Sequence, residues 1–172
     1  MAILTGICLM VFLGGLALAA LCDLVSLTIP NRVVVAVAGA AALGLISATA
    51  DPIAWGWHFG VFLAVLAGGA VLFFVNVWGA GDAKLLAAAA LACGLDGLAP
   101  LMLWTAVSGG ILALILVVLR RQSWLAKRRL RPWCRRLLEP GGGVPYGVAI
   151  AIGGILAVAG GHTVLTGRFI IS

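Results

Sequence analysis

Charge is what this 172-residue chain has least of: five acidic and eleven basic residues in all, 9% of the sequence, against 64% hydrophobic. So few polar groups cannot coat a water-soluble domain of this size. Segments of about ten residues with alternating polarity are missing too, which excludes a transmembrane β-barrel. The four cysteines, Cys8, Cys22, Cys93 and Cys134, form no CxxC pair. That argues against a zinc ribbon or a disulfide framework and leaves them as small apolar packing residues. No positive segment precedes the first apolar run, so Ala17-Leu18-Ala19 is not read as a signal-peptide cleavage site, and residues 3–22 are expected to stay as a first span. No folded basic module exists to bind nucleic acid, and the net charge of +6 lies beside apolar runs, where it sets topology and attracts anionic membrane lipid.

What is present is a succession of apolar runs, each close to the roughly 20 residues of a bilayer span. The expected fold is all-α: a polytopic membrane protein with six transmembrane helices in one compact domain, residues 1–172. The spans are read at 3–22, 33–50, 59–77, 82–93, 101–119 and 144–161. Between them lie a short loop at 23–32 and a break at Asp51-Pro52, followed by interfacial Trp55, Trp57 and His58. A glycine hinge follows at 79–81, then a turn at 95–100 and a basic loop at about 120–143. Eight of the eleven bases fall between Arg120 and Arg136. Trp124, Leu125, Leu130, Trp133, Leu137 and Leu138 recur among them at roughly helical spacing, which suits an interfacial helix restarted at Pro132. Its plain reading is an anchor on anionic lipid; a grip on a substrate's charged leader is the sharper one.

The positive-inside rule puts that loop in the cytoplasm. Counting spans outward, the 23–32 and 79–84 connections follow it, and only Arg168 remains outside. The same count puts Asp23 and Asp82 on one face. An aspartate at helix depth costs about 2.5–3.5 kcal/mol on insertion scales and so usually has a role. Each has a plain alternative: Asp82 as N-cap of the fourth span, Asp23 in interfacial water near Arg32. Taken together they suggest shared acid–base chemistry. Two carboxylates in one site cannot both ionise easily, so one draws a proton from water while the other, protonated, polarises a carbonyl. Gly79 and Gly81, lacking a β-carbon, would let an extended substrate backbone approach; a simple hinge is the alternative.

Three motifs carry a family resemblance. Gly79-Ala80-Gly81-Asp82-Ala83-Lys84 fits a GxGDxK signature, Asp23 is followed by Ile29-Pro30-Asn31, and Val144-Pro145-Tyr146-Gly147 opens the last span. In this order the chain resembles the type IV prepilin peptidases, membrane-embedded GxGD aspartic proteases. The resemblance implies Asp23 and Asp82 as the catalytic pair, with Gly79, Gly81, Lys84, Pro145 and Gly147 around the substrate. It implies no metal or organic cofactor. The substrate would be a prepilin or pseudopilin, cut just after a glycine ahead of its apolar helix, at the cytoplasmic side of a bacterial inner membrane. Snorkelling to lipid headgroups is the plain reading of Lys84, and a helix-start signal that of Pro145 and Gly147. The larger, bifunctional members carry a cysteine-paired insert near the N-terminus and also methylate. Neither insert nor cysteine pair is present here, so the short TadV/CpaA-like branch that serves Flp pili is the nearer likeness, with the archaeal preflagellin peptidases a neighbouring one. The rival class is a small proton-coupled transporter or a structural membrane subunit.

Overall fold

The computed structural model describes residues 2–122, 131–139 and 142–166. They form α1 (Ala2–Ser26), α2 (Asn31–Ala48), α3 (Pro52–Phe74), α4 (Ala80–Arg120), α5 (Pro132–Leu138) and α6 (Tyr146–Ala159), closed by a 3-10 turn at Val164–Thr166. Among the described residues there is no strand. The first four helices are long and apolar enough to cross a membrane. Large apolar side chains such as Ile7, Met10, Leu63, Ile111 and Leu114 point outward, as a lipid solvent requires. The protein is a multi-pass, all-α membrane bundle.

Helix α4 is two spans in one. Leu86 and Gly109 line the same cleft, whereas in an unbroken helix they would stand roughly 35 Å apart. The chain reverses at Gly94, whose φ of 62° is open to glycine and poor for other residues. The His58 ring fills the space where a β-carbon would sit, and His58 Nδ1 lies 2.7 Å from the Leu91 carbonyl just ahead of the break. A carbonyl only accepts, so Nδ1 donates. The sixth span is α6. It has 14 residues, about 21 Å at ~1.5 Å each, and the limb at 80–93 is no longer.

That alanine-rich limb is the centre of the bundle. Residues 85–94 are buried without interruption, so no stripe of the helix faces lipid. Small side chains let its neighbours close in: a β-carbon on Gly69 of α3 would come within 2.7 Å of the Ala83 side chain. Helix α4 packs against α2, α3 and α6, and α1 against α2 and α6.

Several boundaries differ from the sequence reading. Helix α1 runs on through Asp23 to Ser26 and ends where Leu27 turns left-handed (φ 54°), so the first loop is only residues 27–30. Asp51 caps α3 by accepting from the Ile53 and Ala54 amides, at 3.0 and 3.3 Å. Trp55, Trp57 and His58 therefore belong to that helix rather than to a loop before it. Residues 95–100 continue the second limb of α4 instead of forming a turn, because Gly94 alone accomplishes the reversal. Helix α5 begins at Pro132 and buries Leu137, while Trp124, Leu125, Leu130 and Arg168 lie outside the described residues. All four cysteines are free thiols, with Cys8 and Cys93 buried.

Candidate active site

Asp23 sits in the last turn of α1 and is only 4% exposed. A carboxylate that deep needs a partner. It receives one from the far end of the chain: the Gly147 amide donates to Asp23 Oδ2 at 2.7 Å. The amide is free because it lies in the first turn of α6, where backbone donors have no intrahelical acceptor. Pro145, fully buried and without an N–H of its own, fixes the chain just ahead of it. Gly147 must be glycine for steric reasons. A β-carbon there would come within 2.9 Å of both Asp23 Oδ2 and Ile29 Cδ1.

Asp82 lies in the first turn of α4, half-buried. Gly79, not Asp82, is the N-cap, with extended φ −73° and ψ 142°. Asp82 stands three residues on, and a β-carbon on Gly79 would lie 3.0 Å from Asp82 Oδ2, so the carboxylate turns back over the cap residue. The plain alternative of Asp82 as N-cap is therefore overturned: the helix starts at Ala80, and Gly79 takes the cap position with no side-chain cap bond.

Ile29 ties the two aspartate segments together. Its side chain meets Gly147 on one side, and a β-carbon on Gly81 would stand 3.2 Å from Ile29 Cβ on the other. The backbone next to it is set by Pro30, which caps α2 with φ −62°. Asn31 follows, and its Oδ1 accepts from Lys84 Nζ at 3.3 Å. Lys84 therefore ends on the Ile-Pro-Asn loop as well as at the surface. Asp23 and Asp82 are close enough for their charges to interact. All seven sequence-derived candidates, Asp23, Gly79, Gly81, Asp82, Lys84, Pro145 and Gly147, gather at one end of the bundle.

Other neighbours were not singled out by the sequence. Trp78 and Tyr146, each directly ahead of a motif residue, pair with ring centroids 6.2 Å apart. They line a cleft of about 450 Å³ with Leu86, Met102, Gly109 and Ala113. Tyr146 is the only tyrosine in the chain and stands inside the Val144–Gly147 motif, which were the available signals. Among the described residues no group of three or more His, Cys, Asp or Glu could hold a metal ion.

Residues 10–114 match the model of the type IV leader peptidase family. The chain belongs to that family. The matched stretch takes in Asp23, the Ile29–Asn31 loop, Asp82 and Lys84, and stops before Pro145 and Gly147. No curated protein and no solved structure matches the chain. Membership makes the protein a peptidase, which sets the transporter and structural-subunit alternatives aside.

Proposed function

We propose that this leader peptidase is an intramembrane aspartic endopeptidase that removes the leader of type IV prepilins or pseudopilins at the cytoplasmic face of a bacterial inner membrane. The observation that carries the reading is the convergence of Asp23, held by the Gly147 amide, and Asp82, in the first turn of α4, from segments far apart in the chain. One carboxylate takes a proton from a water molecule as that water attacks the scissile carbonyl. The other, protonated, donates to the carbonyl oxygen. The tetrahedral intermediate then collapses as a carboxyl proton passes to the leaving amine, with no covalent enzyme intermediate. The proton is a property of the pair rather than of either residue. Gly79 is exposed and is the glycine available to an incoming peptide backbone, whereas Gly81 is occupied by Ile29. Lys84 and Pro145 hold the surrounding turns.

Arg32, Lys84 and the bases of the 120–136 segment support the cytoplasmic assignment. With only residues 27–30 between α1 and α2, the short Flp-pilus type of enzyme, without methyltransferase activity, is the form we favour. The test is a membrane cleavage assay on a leader-bearing prepilin with Asp23→Ala, Asp82→Ala and the two asparagine variants. All four should leave the substrate full length, since an amide keeps the size of the carboxylate but cannot shuttle its proton. Complete processing by the variants would sink the reading.

A further inference from the structure

Arg120 stands out among the bases of the cationic segment. It is half-buried, and its guanidinium is committed to the backbone: Nε donates to the Leu137 carbonyl at 2.9 Å and Nη2 to the Gly143 carbonyl at 2.9 Å. Leu137 is in the last turn of α5, where carbonyls have no intrahelical donor. Gly143 lies in the glycine-rich strap that leads to Pro145. One side chain therefore grips both ends of the connection between α5 and α6. A strap containing Gly142 and Gly143 has little stiffness of its own. Its destination matters, because four residues beyond Gly143 is Gly147, whose amide holds Asp23.

The reversal at Gly94 makes this more than a local tie. It returns the two ends of α4 to the same end of the bundle. Asp82 lies in the first turn of that helix and Arg120 in the last. The hairpin that delivers one carboxylate thus also delivers the group that fixes the strap anchoring the other.

We propose that Arg120 is a positioning residue for the Asp23–Asp82 pair, acting through the Gly143–Gly147 strap; the proposal rests on the aspartic-peptidase reading above. It separates Arg120 from the other bases of the segment, whose charge serves topology and lipid attraction. Arg135 is the comparison: it is exposed, and among the described residues it pairs with Glu139, one turn away at 3.9 Å. Lysine cannot replace Arg120 fully, because an ammonium is a point donor and cannot address two carbonyls with a planar fork.

The experiment measures kcat and KM on a purified leader-bearing type IV prepilin in detergent micelles for the full-length wild type, Arg120→Ala, Arg120→Lys, Arg135→Ala and Asp82→Asn. Arg120→Ala should lower kcat on the order of 10- to 100-fold, the penalty for a small misplacement of catalytic groups, with KM little changed. Arg120→Lys should fall in between, and Arg135→Ala should match wild type. Wild-type kcat in Arg120→Ala overturns the proposal. So does an equal loss in Arg135→Ala, which would make it a charge effect, or a change confined to KM, which would make it substrate binding. If Arg120→Ala does not accumulate in membranes, Arg120→Lys decides by the same split: reduced kcat supports, unchanged kcat overturns. Asp82→Asn separates the two layers. Activity there removes the aspartic reading itself, whereas an inactive Asp82→Asn beside a fully active Arg120→Ala removes only the role of Arg120.

Discussion

Each end of the bundle carries two aspartates, and they are held in opposite ways. At one end Asp23 is bonded to an amide 124 positions along the chain. At the other, Asp51 is exposed and accepts from amides two and three positions on, in its own helix. Asp96 is exposed as well, and together with Asp51, His58 and Trp57 it lines an open cleft of about 550 Å³. An acidic residue at a helix end is therefore no sign of chemistry by itself. Asp51 satisfies helix donors locally and stays wet, a stability device. Asp23 is buried, and its partner exists only once the first and last spans have assembled.

The sharpest way to break this contrast is to neutralise both pairs. Asp23→Asn or Asp82→Asn should lower cleavage by on the order of a thousandfold, the scale of lost acid–base catalysis, while Asp51→Asn and Asp96→Asn keep near-wild-type rates. A comparable loss at both ends, in the same prepilin assay, would erase the distinction. Glycines give the next test. Gly147→Ala pushes a methyl against Asp23 and Ile29 and should cost roughly 10- to 100-fold in kcat without lowering the amount of protein in the membrane. Gly94→Ala, at positive φ and against the His58 ring, should lower unfolding free energy by about 1–3 kcal/mol, read by thermal unfolding in detergent, and spare kcat of the folded fraction. The smallest effect is expected for Asp51→Ala: about 1 kcal/mol of stability from the lost cap, with cleavage unchanged.

Much of the site was legible because its parts are short motifs with a fixed order, and because the bases mark which connections share a face. Hydropathy found the spans. It failed at their polar ends. The first span was read as stopping at Cys22 because an aspartate follows, yet α1 continues through Asp23 to Ser26. The carboxylate is tolerable in the helix only because Gly147 donates to it, and no local pattern encodes that bond. For Asp82 the cap is the plain alternative, since aspartate is a strong capping residue; the cap position is Gly79's, and Asp82 lies three residues further on. A turn is expected at 95–100, but the left-handed Gly94 has already reversed the chain. Arg120 was hidden in a crowd of like charges, and only its partners, two backbone carbonyls, set it apart.

The two short helices have a consequence for water. Both α6 and the first limb of α4 begin at the candidate site, and at about 21 Å neither matches the roughly 30 Å of a hydrocarbon core. Lipid cannot fill the shortfall where polar backbone is exposed, since unpaired amides and carbonyls are not stable against hydrocarbon. The missing helix length must therefore be made up by solvent or by protein. A peptide bond has to leave its own helical hydrogen bonding to be hydrolysed, and under the proposed function the shortfall at the site end is the room an uncoiled stretch of substrate would need.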